Sequence, residues 1–133
     1  SEMIASEMEI KFHLLERTCE QYVDPNIIKT ISHRLNEQDL AIIVSLNGHT
    51  EELVEAAKVC HKNEVPIIVI TANGTSPLAR LSDITFVGFK SEDSYFPEYE
   101  VRSRLPLQII SRILLDAYAI RVAHKREKTK KVF

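Results

Sequence analysis

The segment Ser45-Leu46-Asn47-Gly48-His49-Thr50-Glu51 gathers two hydroxyls, a carboxamide, an imidazole and a glycine into one turn. It leaves a continuous apolar run and opens into residues with helical spacing. A helix start presents backbone N–H groups that have no intrahelical partner, and the helix dipole favours negative charge there. Gly48 lets the backbone turn sharply and come close to a ligand. Ser45, Asn47 and Thr50 add neutral donors at the same point. The chemistry that fits is the holding of an oxyanion such as phosphate, with the whole stretch from Ser45 to Thr50 as its contact. No lysine follows the glycine and there is no GxGxxG, so neither nucleotide-loop pattern applies. Taken alone, the segment also fits a plain helix cap at Thr50.

Such a turn needs a scaffold, and the flanking sequence supplies one. Asp39 to Ser45, Pro66 to Thr71 and Ile84 to Val87 are apolar runs of the kind found in strands buried on both faces. Helical spacing covers residues 1–20 (Met3, Ile4, Met8, Phe12, Leu15, Cys19), a segment entered at Pro25 (Ile27, Ile28, Ile31, Leu35), Thr50 to Lys62, a short piece from Ser76-Pro77, and Arg104 to His124. Tyr22-Val23 reads as a further short strand and Lys90 to Glu98 as a polar loop. Alternation of helices and strands implies a three-layer αβα sandwich on a mostly parallel, doubly wound sheet. In such sheets ligands lie beyond the carboxyl ends of the strands, where the strand order reverses. The Ser45 turn sits at such an end. The leading element, however, is a helix, whereas a doubly wound sheet normally begins with a central strand; either a leading strand lies upstream or the sheet is completed otherwise.

Composition narrows the function classes. At 133 residues the chain is one domain, read here as residues 1–124 followed by a basic tail, 125–133. A formal charge of −2 gives no global reason to bind nucleic acid. No apolar run is long enough to cross a membrane, and Ser1 to Glu9 lacks the basic head of a secretory signal, so a cytoplasmic protein is expected. Cys19 and Cys60 lie in helical patterns without metal-ligand spacing and are expected as free thiols. His13, His33 and His124 are scattered, so neither a metal nor another cofactor is expected.

Ser45 to Thr50 resembles the SxSGxT phosphate loop of SIS (sugar isomerase) domains, with Asn47 in place of the second serine. Thr71-Ala72-Asn73 followed by Ser76-Pro77-Leu78-Ala79-Arg80-Leu81-Ser82-Asp83 resembles the same family's TxNxxSPLAxLAD stretch. The resemblance implies a flavodoxin-like fold and a sugar phosphate or similar anionic sugar as ligand. It also implies that Ser1 stands for the serine that ends the family's first strand and GxGxS loop, making Ser1 a second phosphate contact and leaving that strand outside the chain.

SIS domains serve both enzymes and regulators. An aldose–ketose isomerase needs a base near the sugar, and His49, Glu51, Glu98, Glu100 and His61 are the candidates. Glu51 and Glu52 suit the helix dipole without any catalytic role, as His61 suits a helix end. At the place resembling the catalytic glutamate of phosphohexuloisomerases stands Gln108, whose amide is no base. Glu100-Val101-Arg102-Ser103-Arg104-Leu105 is more similar to RpiR-type transcription regulators. The resemblance therefore implies an effector-sensing domain without catalytic residues, and Glu98, Arg102 and Arg104 become its sugar contacts. It further implies a homodimer or tetramer, with DNA reached only through a helix-turn-helix head upstream. A SIS isomerase is the alternative.

Overall fold

The three apolar runs become strands β1 (Ala41–Val44), β2 (Ile67–Thr71) and β3 (Ile84–Val87) in a computed structural model that describes residues 2–88 and 104–131, the stretch 127–131 by backbone alone. All pair in parallel in the order β1-β2-β3, with Ile43 opposite Val69 and Ile70 opposite Phe86. The helices are α1 (Glu2–Leu14), α2 (Pro25–Ser32), α3 (Glu51–Lys62), α4 (Pro77–Leu81) and α5 (Leu105–Lys131).

Side chains leave alternate faces of a strand, and the core divides accordingly. On one face Ile43, Ile67 and Val69 pack with Ala57 and Cys60 of α3 and Leu78 of α4. On the other, Val44 and Ile70 pack with Ile4 and Met8 of α1 and Leu107 and Leu115 of α5. Helices thus cover both faces, as the sequence implies, and α2 packs on α3. Ile67, Val69 and Ile70 of the central strand are fully buried between the two layers.

Several expectations are corrected. The leading helix stops at Leu14 instead of continuing to residue 20. Glu16 adopts φ 61°, and the N–H of Arg17 reaches back to the Phe12 carbonyl at 2.9 Å while that of Glu16 reaches His13. This is a Schellman ending with glutamate in the left-handed position usually held by glycine. Cys19 consequently lies in the connecting segment, not in a helix. Tyr22-Val23 is no strand. Leu40 falls outside β1 and is half exposed. α2 ends at Ser32, before Leu35. The closing helix runs past His124 to Lys131, carrying most of the basic tail as helix. The strand order is sequential, so no reversal occurs among the described strands; β1 is an edge strand there, with its faces packed and its outer edge without a strand partner among the described residues. Both cysteines are free.

Candidate functional site

The Ser45–Thr50 turn lies at the carboxyl end of β1 and leads into α3. What shapes it is the loop behind it. The Leu46 carbonyl accepts the Ala72 N–H at 3.0 Å and the Thr71 hydroxyl at 3.2 Å. The Gly48 carbonyl accepts the Leu78 N–H at 3.3 Å. Two carbonyls of the turn, those of Leu46 and Gly48, are therefore bound by the end of β2 and the segment that follows it. Gly48 has φ 71°, and a methyl group there would stand 2.1 Å from Ser76 Oγ and 2.4 Å from Ser76 Cβ. Only glycine fits, because the backbone is pressed against the start of α4.

Ser45, Thr71 and Ser76 are buried polar residues around this contact, and each has a hydrogen-bond partner. Ser45 Oγ accepts the Gly48 N–H at 3.1 Å and lies 3.4 Å from Thr50 Oγ1. Thr50 occupies the N-cap position of α3 yet makes no side-chain cap. By contrast, Asp24 caps α2 and Ser76 caps α4. Thr50 is thus not the plain cap that its position allows: its hydroxyl lies near Ser45 Oγ and makes no cap to the first turn of α3. The Leu46 and Gly48 carbonyls are bound on one side, while Thr50 leaves the start of α3 without a side-chain cap, an arrangement that suits an anion.

The seat differs from the sequence expectation in one respect. Two of its N–H groups have partners within the turn: Gly48 donates to Ser45 Oγ, and His49 to Asn47 Oδ1 at 2.9 Å. Leu46 contributes through its backbone, while its side chain packs against the core. His49 is exposed at the mouth, and its Nε2 lies 3.4 Å from Asn73 Nδ2.

The remaining candidates separate. Arg104 is exposed and precedes α5, which starts against Gly88, just past the carboxyl end of β3. Arg104 therefore shares the seat's edge of the sheet but belongs to a different strand end. His61 lies in the last turn of α3, about 16 Å down the helix axis from Thr50, and is removed from the site. Glu51 is exposed on the first turn. Gln108 is half-buried within α5, its carbonyl accepting the Ser111 hydroxyl at 2.9 Å. Ser1, Glu98, Glu100 and Arg102 fall outside the described residues. Neither cysteine is an activated nucleophile: burial pushes the Cys60 thiol up, and burial with the Glu9 and Glu20 carboxylates does the same to Cys19. Among the described residues no His/Cys/Asp/Glu group is arranged to hold a metal ion. The sequence reading missed Thr71, Ser76 and Asn73 as parts of the site. Asn73-Gly74-Thr75 did carry a signal, because an asparagine two residues before a threonine favours a turn closed by its own side chain.

Residues 1–115 match the SIS domain family. The HTH-type transcriptional regulator RpiR of Escherichia coli K12 is 30% identical over 124 residues, which is 92% of this chain and 40% of that protein. The chain therefore spans about two fifths of such relatives. The Vibrio vulnificus NanR protein complexed with ManNAc-6P superposes with a TM-score of 0.78 at 18% identity, over 98% of this chain and 51% of that one. The sugar isomerase domain of an RpiR transcription factor from Sphaerobacter thermophilus gives 0.76 at 22% identity, over 96% and 73%. These structures share the fold, and the stretch matched by the family, residues 1–115, includes the turn and the loop behind it. The chain belongs to the SIS domain family.

Proposed function

We propose that this chain binds a sugar phosphate, seating the phosphate at the start of α3, as the effector-sensing domain of an RpiR-type transcription regulator. The observation that carries the reading is the tethering of the Leu46 and Gly48 carbonyls from behind, which turns the polarity of the loop toward an anion. Ser45 Oγ and Thr50 Oγ1, 3.4 Å apart, supply hydroxyls beside the N–H groups. Asn47, Gly48 and His49 complete the seat, and Ser1, Glu98, Arg102 and Arg104 are assigned to the rest of the ligand. Two comparisons support the ligand class and role: the RpiR relative is a transcriptional regulator, and the NanR neighbour is complexed with ManNAc-6P.

The domain senses its ligand without turning it over. Gln108, at the place resembling the catalytic glutamate of phosphohexuloisomerases, has no basic group, and His61 is at the far end of α3. DNA contacts belong to a helix-turn-helix portion outside this sequence, and the protein works in the cytoplasm. No helix among the described residues is long and apolar enough to cross a membrane.

The assembly is a homo-oligomer built through the outer layer of α1 and α5. Each of these helices is apolar on a second face. Met3, Ile10 and Leu14 on α1, and Leu105, Ile109, Ile113 and Ile120 on α5, are all more than half exposed. At helical spacing each set forms one stripe turned from its buried residues, and α1 packs beside α5. A shallow groove along α1, lined by Met3 and Ile10 with Glu2, Ser6, Glu7 and Lys11, lies in the same surface. Exposed apolar stripes on two neighbouring helices suit an interaction face, and a second copy presents the same face in return.

Thermal unfolding against a phosphosugar panel tests the ligand reading. At about 100 times its dissociation constant a ligand adds roughly 2.7 kcal/mol. The wild-type chain is expected to gain this, and Ser45→Ala with Thr50→Val to keep its fold and lose the gain. An unchanged gain in the double variant places the ligand elsewhere.

A further inference from the structure

Asn73 opens the loop after β2, beside the seat, and its polar atoms are almost all committed. Its backbone N–H donates to Thr71 Oγ1 at 3.2 Å, and its carbonyl accepts the Ser76 N–H at 3.2 Å. Its side-chain Oδ1 accepts the Thr75 N–H at 3.1 Å and the Thr75 hydroxyl at 3.0 Å. A backbone N–H can only donate, so the atom facing Thr75 must be the oxygen. The orientation of the carboxamide is therefore forced by its surroundings, and Nδ2 is the atom turned toward the seat.

There Nδ2 meets His49 Nε2 at 3.4 Å. Nδ2 carries hydrogens and no lone pair to offer, so it is the donor of this contact. The contact is long for an N–H donor, whose usual reach is about 2.9–3.0 Å, and it joins half-buried Asn73 to exposed His49 across two loops. A rigid neutral donor with so weak a partner, at the rim of an anion seat, is suited to an uncharged oxygen acceptor. The carbonyl or hydroxyl oxygens of a sugar next to its phosphate are that kind of acceptor.

We infer that Asn73 is a specificity-determining residue whose Nδ2 donates to a sugar oxygen adjoining the phosphate, exchanging His49 for the ligand. The inference rests on the seat proposed above and adds a division of labour to it. The turn after β1 holds the phosphate, and the loop after β2 reads what the phosphate is attached to. His49 is the side chain displaced. Thr75 fixes the reader's direction and contributes no ligand contact of its own.

Titration calorimetry of the full chain with inorganic phosphate, ManNAc-6P and glucose 6-phosphate separates the two roles. Asn73→Ala removes the donor, and Asn73→Ser removes it while keeping an oxygen for the Thr75 turn. Both variants are expected to weaken the preferred phosphosugar about tenfold, the loss of one good hydrogen bond, and to leave inorganic phosphate within about twofold of wild type. Equal weakening toward phosphate and phosphosugar, or no weakening of either, overturns the assignment; so does full phosphosugar affinity in Asn73→Ser. A wild-type chain that holds inorganic phosphate and prefers neither phosphosugar also overturns it while leaving the seat intact. If the wild type binds none of the three ligands, the seat itself is wrong.

Discussion

Replacing Gly48 by alanine attacks the contact that shapes the seat, and its cost can be worked from two terms. The first is backbone: φ is 71° at this position, and an L side chain in that region costs about 1–2 kcal/mol. The second is steric: the new methyl group would stand 2.1 Å from Ser76 Oγ and 2.4 Å from its Cβ, with Thr71 Oγ1 at 3.3 Å. Ser76 is buried and its hydroxyl caps α4 through the Ala79 N–H, so it has little room to yield, and overpacking of this kind costs about 1–3 kcal/mol. The total is about 3 kcal/mol. Unfolding entropy near 2.1 cal/mol/K per residue gives about 0.28 kcal/mol/K for 133 residues. The midpoint of thermal unfolding should therefore fall by about 10 °C. The decisive control is a double-mutant cycle with Ser76→Gly, which removes both clashing atoms at the loss of a few tenths of a kcal/mol of capping. In that background Gly48→Ala should cost only the backbone term, about 1 kcal/mol, leaving a coupling of about 2 kcal/mol between the sites. Equal costs in both backgrounds would refute the claim that Gly48 is pressed on Ser76. So would a Gly48→Ala cost below about 1 kcal/mol.

Two further outcomes follow from the same coordinates. Glu64 has φ 58° at the end of α3, where the Val65 N–H returns to the Cys60 carbonyl at 2.9 Å; Glu64→Gly relieves a left-handed L residue and should stabilise the chain by about 0.5–1 kcal/mol in denaturant unfolding, whereas a loss would show the conformation is unstrained. Ile113 is 63% exposed on the outer stripe of α5; Ile113→Glu should leave the fold intact and shift sedimentation toward the monomer, and an unchanged sedimentation coefficient would remove α5 from the interface.

How much of this was legible in the sequence depended on which forces set each element. The strands were readable because apolar runs with no polar alternation have no other stable place than a sheet covered on both sides, and β2 and β3 end as the runs do. The seat was readable as residue types: glycine, hydroxyls and a helix start after a strand. Its strength was not, because the tethering of the Leu46 and Gly48 carbonyls comes from residues 72 and 78, distant in sequence. The self-pairing of Asn47 with the His49 N–H was likewise invisible in residue types alone. The end of α1 was missed for a local reason: its Schellman ending uses Glu16, and no glycine or asparagine announces it. Tyr22-Val23 has strand-forming residues and forms none, since a strand exists only with a neighbour to bond. The apolar positions of α1 and α5 look like a single broad stripe in sequence, and only packing divides them into an inner face and an outer one.

The seat is tested most directly by an amide NMR titration of the chain with ManNAc-6P. If the start of α3 holds the phosphate, the N–H resonances from Gly48 through Leu53 shift together and saturate on one binding curve, and they cease to shift in the Ser45→Ala, Thr50→Val chain. Saturating shifts confined to other parts of the molecule, with these amides unmoved, would contradict it.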